Sequence, residues 1–242
     1  MNMTAQNQPD ENPMIEFGRI TKVYGTGHAA VTALRGIDFS VRKGEFVAVM
    51  GPSGSGKSTC MNILGCLDSP TSGEYLFEGF NIADLTREQR ALLRRHYIGF
   101  VFQGYNLLNK TSALENVELP MYYRGTPAGE RRSLALQALN AVGLTGWERH
   151  TQGELSGGEQ QRVAIARAIV TNPKVLLADE PTGNLDTAMG HEIMDLLTSL
   201  NNERGITIVM VTHEQEMARY TKRTIHFRDG LVDNVEHNGG FK

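Results

Sequence analysis

Apolar positions recur at two spacings along this chain, and the spacing changes by region. The most apolar runs, at residues 46–50, 175–178 and 206–211, have the length of strands buried on both faces. Ahead of the first run, residues 15–24 and 31–41 also pattern as strands, broken by Gly25, Gly27, Gly36 and the pair Lys43-Gly44. Residues 57–67 then read as a helix, 74–77 as a short strand and 98–103 as a buried strand. From 112 to 172 the period is helical, most clearly over 129–142 and 157–171, with no strand between. The remainder alternates: strand 174–179, helix 187–203, strand 206–212, a short helix and two short terminal strands. Such alternation predicts an α/β fold with a mostly parallel sheet covered on both faces, and the all-helical middle predicts a subdomain projecting from it. Repeats, heptads and low-complexity tracts are lacking in the pattern.

Composition narrows this picture only modestly. At 242 residues, with 40% hydrophobic and 21% charged side chains, the chain suits one large α/β unit with a full core. A net charge of −3 speaks against nucleic acid as the main partner, because a surface that tracks phosphates shows a basic excess. The two cysteines, Cys60 and Cys66, point in different directions if both lie on one helix, which predicts reduced thiols and no disulfide. No stretch approaches the ~20 apolar residues of a membrane span, so any membrane role requires other chains to do the spanning. Residues 1–13 are polar and lack the apolar core of a secretory signal; they are expected to form a disordered tail, and residues 236–242 a C-terminal tail outside the domain.

Chemistry concentrates in three places. Gly51-Pro52-Ser53-Gly54-Ser55-Gly56-Lys57-Ser58 follows an apolar strand and opens a helix, which is the context of a phosphate-binding loop. Glycines let the backbone curl so that consecutive N–H groups face one phosphate, with the positive end of the helix behind them. Lys57 would meet the β- and γ-phosphates and the Ser58 hydroxyl would bind Mg²⁺. Asp179 and Glu180 end the strand 174–179, at the carboxyl edge where parallel sheets bind ligands. Asp179 suits holding Mg²⁺ through water, and Glu180 suits taking a proton from the attacking water. Leu155-Ser156-Gly157-Gly158-Glu159-Gln160-Gln161-Arg162 places small residues at another helix N-terminus, where Ser156 and the N–H groups of Gly157 and Gly158 offer a second anion site. One nucleotide does not need two such sites in one lobe, so the second is expected to serve a nucleotide bound to another copy.

Together these motifs closely resemble the ABC ATPases, over about residues 14–235, and 155–162 looks like that family's signature motif. Tyr24 matches the aromatic that stacks on adenine, where spacing alone would make it a core-facing strand residue. Gln103 matches the glutamine that joins Mg²⁺ and the attacking water to the helical subdomain; alone it is a polar strand end. His213 matches the histidine that contacts the γ-phosphate. Residues 181–186 match the loop after the catalytic glutamate, with Asp186 helping two subunits communicate or simply capping a helix. The resemblance implies a P-loop NTPase of the ABC ATPase type, with an N-terminal antiparallel β subdomain and a helical subdomain inserted at about 104–172. It implies ATP and Mg²⁺ as ligands, with Tyr24, Gly51, Pro52, Ser53, Gly54, Ser55, Gly56, Lys57, Ser58, Thr59, Ser156, Gly157 and Gly158 on the nucleotide. Ser58, Gln103 and Asp179 are implied at the metal, and Glu180, His213, Gln103 and Lys57 in catalysis.

The phrases at 65–74, 100–108 and 179–186 look most like the branch that serves lipoprotein release and macrolide export (MacB-type), although Cys60 and Cys66 stand where Leu and Gly are more usual. This implies an active ATPase that dimerises around ATP, docks on MacB/FtsX-like permease subunits at the cytoplasmic face of the inner membrane, and binds no nucleic acid. A soluble ABC ATPase, such as one acting in iron–sulfur assembly, is the alternative. The apolar Tyr105, Leu107 and Leu108 would be either subdomain core or part of a groove receiving a helix of the permease.

Overall fold

The computed structural model describes residues 13–239, so the expectations for residues 1–12 and 240–242 lie outside the described residues. Ten strands and seven α-helices follow in chain order: β1 (Ile15–Tyr24), β2 (Val31–Val41), β3 (Phe46–Met50), α1 (Lys57–Leu64), β4 (Ser72–Phe77), β5 (Phe80–Asn81), α2 (Arg87–Tyr97), β6 (Ile98–Phe102), α3 (Ala113–Tyr123), α4 (Ala128–Ala141), α5 (Gly157–Ile169), β7 (Val175–Asp179), α6 (Thr187–Arg204), β8 (Thr207–Val211), α7 (Gln215–Ala218), β9 (Arg223–Arg228) and β10 (Leu231–His237).

The strands form two sheets. β2-β1-β4-β5 is antiparallel, and its inner positions, among them Phe17, Phe39 and Tyr75, pack ring on ring. The second sheet has the order β10-β9-β3-β8-β7-β6 and is parallel except for the β9–β10 hairpin. Its central strands β3, β7 and β8 are buried along nearly their whole length and mostly apolar because both faces are covered. Period-two alternation divides β3 between two cores: Val47 and Val49 join Ile63, Leu64 and the antiparallel sheet, while Phe46, Ala48 and Met50 join α3 to α6. Every parallel strand therefore ends at one edge, and residues 51, 103, 180 and 212 emerge there in adjacent loops.

Three local readings change. The helix expected over 57–67 stops at Leu64, because Gly65 packs against the Phe100 ring and Cys66 takes a left-handed backbone (φ 53°). Both cysteines are buried and free, and burial pushes the Cys66 thiol up to about 11. α2, which the apolar pattern did not reveal, buries no residue; it is an arginine-rich helix started by a Thr86–Gln89 capping box. β10 continues to His237 and so takes in the first two residues, 236 and 237, of the expected terminal tail. Among the described residues no helix is long and apolar enough to cross a membrane.

Candidate nucleotide site

The loop after β3 is shaped by close packing. Gly51 (φ 155°) lies against the Phe227 carbonyl, where an added Cβ would come within 2.2 Å of that oxygen. Gly54 and Gly56 are left-handed, and α1 begins at Gly56 with no side chain capping it. The positive end of α1 thus faces a cleft of about 570 Å³ with no side chain hydrogen-bonded to its cap. The Lys57 ammonium folds back over the loop and donates to the carbonyls of Gly51 (2.7 Å) and Pro52 (2.9 Å). Ser55 is buried and its hydroxyl has no protein partner.

Glu180 and His213 line the same cleft as Lys57, Ser58 and Thr59. Glu180 sits in a left-handed conformation (φ 46°), pinned by its N–H to the Val211 carbonyl and its carbonyl to the Gly183 N–H. Its carboxylate is 3.1 Å from His213 Nδ1. Burial raises the Asp179 carboxyl above its usual range, the adjacent Glu180 charge raises it further, and Lys57 works in the opposite direction.

The other expected residues lie around this centre. Gln103 follows β6 and faces the loop after Glu180: its Nε2 is 3.4 Å from Asn184 Oδ1, and Asn184 Nδ2 donates to its carbonyl. Asp186 caps α6 by accepting from the Met189 N–H. Tyr24 is exposed rather than core-facing, and its hydroxyl donates to Asp68 Oδ2 (2.9 Å). Burial works to raise the Asp68 carboxyl, yet hydrogen bonds from Lys22, the Ser69 N–H and Tyr24 outweigh it and hold the group below its usual range. Ser156, Gly157 and Gly158 do not line the cleft; they open α5 outside it, Ser156 exposed and Gly158 buried. Sequence reading missed Ala33 and Val211 in the cleft wall, Asp68 behind Tyr24, and Asn184 against Gln103. Asp68 and Asn184 stood within phrases already singled out, at 65–74 and 179–186, whereas Ala33 and Val211 stood in none of the motifs.

Leu107 is 8% exposed and joins the apolar core, whereas Leu108 is 46% exposed; Tyr105 is half-buried against the same core. The segment is therefore core at Leu107. An apolar groove of about 580 Å³ lies beside it instead, between β6, α2, α3 and α5, walled by Leu67, Phe100, Phe102, Leu119, Pro120 and Tyr123.

The family profile described as "ABC transporter" matches residues 34–183. The chain belongs to this family. As an ABC ATPase it has well-matched relatives: it is 52% identical over 223 residues to the pyoverdine export ATP-binding/permease protein PvdT of Pseudomonas savastanoi pv. phaseolicola, covering 92% of this chain and 34% of that protein. It is 50% identical over 220 residues to the macrolide export ATP-binding/permease protein MacB of Brucella melitensis, covering 91% and 34%. The chain thus spans about a third of the length of these exporters. An ABC transporter ATP-binding protein of Thermotoga maritima is 50% identical and matches over 93% of this chain and 96% of its own length. Among solved structures, the dimeric post-hydrolysis state of the ATP-binding cassette MJ0796 bound to ADP and Pi superposes with a TM-score of 0.86 at 45% identity, covering 94% of this chain and all of that one.

Proposed function

We propose that this ABC ATPase hydrolyses Mg–ATP between two copies of itself and so drives an export permease from the cytoplasmic face of the inner membrane. The observation that supports the reading best is the meeting of Lys57, Glu180 and His213 on one cleft, while the Ser156 turn opens outside it. A chain that holds both halves of a site but not together is suited to completing the site of a second copy. The neighbouring MJ0796 structures are dimers, in line with that reading.

Within the cleft, backbone N–H groups of residues 51–59 and the end of α1 receive the β- and γ-phosphates. Lys57 exchanges its two carbonyl partners for phosphate oxygens. Tyr24, oriented by Asp68, offers its face to adenine. The donors present fit Mg²⁺: the Ser58 hydroxyl, the Gln103 amide oxygen and Asp179 are hard oxygens, few enough to leave positions for water and phosphate. A poorly solvated Asp179 next to Glu180 is also a place where a cation relieves repulsion. The ion would neutralise phosphate charge as it develops. Glu180 takes the proton of the attacking water, and His213, already beside it, turns its other ring nitrogen toward the γ-phosphate. Ser156, Gly157 and Gly158 close on the nucleotide of the second copy, so that ATP favours the closed pair and its loss favours opening.

The permease is read from the relatives' names, which join an ATP-binding part to a permease in one protein, and from the apolar groove beside Gln103. A short amphipathic helix of a MacB/FtsX-like subunit suits that groove. Glu180→Gln tests the catalytic core of the proposal. Turnover should fall about 10²–10⁴-fold while ATP still binds, because a base is lost at constant volume; the variant should collect as an ATP-bound dimer on gel filtration. Undiminished steady-state hydrolysis would remove Glu180 from this role.

A further inference from the structure

We propose that Arg167 and Tyr105 form a strut that positions Gln103 according to the state of the signature turn. Arg167 lies near the far end of α5, eleven residues or about 16 Å along the axis from Ser156. Its guanidinium forks onto two consecutive carbonyls of the glutamine loop, Nη2 donating to Tyr105 (2.7 Å) and Nη1 to Asn106 (2.6 Å). Both residues are left-handed (φ 59° and 50°), a conformation that side-chain-bearing residues keep only where surroundings impose it. Burial of Arg167 lowers its pKa from the usual arginine value, as expected of a cation drawn out of water to meet carbonyl oxygens.

Tyr105 completes the connection with its other end. A methyl group built on Gly157 would stand 3.0 Å from the Tyr105 hydroxyl, so the ring tip rests against the turn expected to meet the second copy's nucleotide. One residue is therefore held at its backbone by the end of α5 and touches the beginning of the same helix with its side chain. Downstream, buried Leu107 and the bond from Leu108 N–H to Asn116 Oδ1 anchor the loop. Upstream, β6 is paired in the sheet through Phe102. Residues 103–106 are the span left between these anchors; Asn184 holds its first carbonyl, at Gln103, and Arg167 grips its last two, at Tyr105 and Asn106.

A nucleotide arriving at 156–158 presses on Tyr105, and the strut passes that displacement to Gln103, two residues away. Arg167 and Asn106 also line the apolar groove, which gives a bound permease helix access to the strut. Arginine is required because a planar fork holds two carbonyls at once, which a lysine ammonium does at a poorer geometry.

This inference rests on the proposed role of Gln103 at the metal and the attacking water, and a mutant cycle on the full chain separates the two. Arg167→Lys should lower kcat about tenfold and Tyr105→Phe about threefold, with KM for Mg–ATP within about twofold. In a Gln103→Ala background neither change should lower kcat further, since each acts through that side chain. Additive losses in a cycle where Gln103→Ala itself is slow would overturn the strut alone. A Gln103→Ala protein with undiminished kcat would remove the role of Gln103 and the strut together. Should Arg167→Lys fail to fold, the Tyr105→Phe cycle decides by itself, because that change removes one oxygen from a half-buried ring.

Discussion

The turns that open α1 and α5 are built from the same small residues, yet they are opposite solutions at a helix N-terminus. At α1 the glycines are left-handed or pressed against backbone, and no side chain caps the helix. At α5, Gly157 and Gly158 are ordinary helical residues, and Ser156 is engaged in a capping box: one Glu159 oxygen accepts from both its N–H and its hydroxyl at 2.7 Å, while the hydroxyl accepts from the Glu159 N–H. The first turn waits for an anion from outside; the second already has one from its own chain. A phosphate arriving at α5 would have to displace or rearrange that carboxylate, which agrees with the proposal that this turn serves a site completed only when two copies meet.

The largest test of this contrast separates binding from closure. Lys57→Ala should weaken ATP binding of the single chain by about 100-fold, as read by calorimetry, because a charge meeting the phosphates is lost. Ser156→Arg should leave that affinity within about threefold while abolishing hydrolysis by the dimer. Mixing the two proteins should restore part of the activity, since one site of each mixed pair keeps both halves intact. Wild-type affinity in Lys57→Ala, or no rescue with mixed pairs shown to form, breaks the contrast.

A second test asks why the glycines are there. Gly51→Ala should destabilise the protein by about 2–4 kcal/mol, because the new methyl meets the Phe227 carbonyl and the φ is unsuited to a side chain. Gly157→Ala should cost under about 1 kcal/mol, since helical φ suits alanine and its neighbours are chiefly side-chain ends able to shift. Equal losses in thermal melts would erase the distinction.

The smallest effect concerns the carboxylate beside the uncapped turn. Folding raises the Asp179 pKa, so ionised Asp179 weighs against the nucleotide-free fold. Its contribution is most favourable below the unfolded carboxylate range, near pH 4, and is lost as pH rises through the raised folded value. Asp179→Asn should therefore melt higher than the parent at pH 7 without nucleotide, the difference closing toward pH 4, while Mg²⁺-dependent turnover falls. A parent protein that melts higher at pH 7 would contradict the desolvation of Asp179.

What the chain order alone determined is the part built from contiguous residues. The apolar run ending at Met50, the glycine loop and α1 are one local unit, and so are β7 with Asp179 and Glu180 and the capped start of α5. Backbone conformation, capping and strand burial follow from neighbours in sequence, so these were legible, as α2 could have been from Thr86 and Gln89. Only tertiary packing decided the rest. It chose Leu107 for the core and left Leu108 outside, set Asp68 behind Tyr24 across 44 residues, and brought Arg167 onto the carbonyls of Tyr105 and Asn106 from 61 residues away. Such pairings depend on how the sheets and helices stack, and neither apolar period nor motif spacing encodes the meeting of two distant segments.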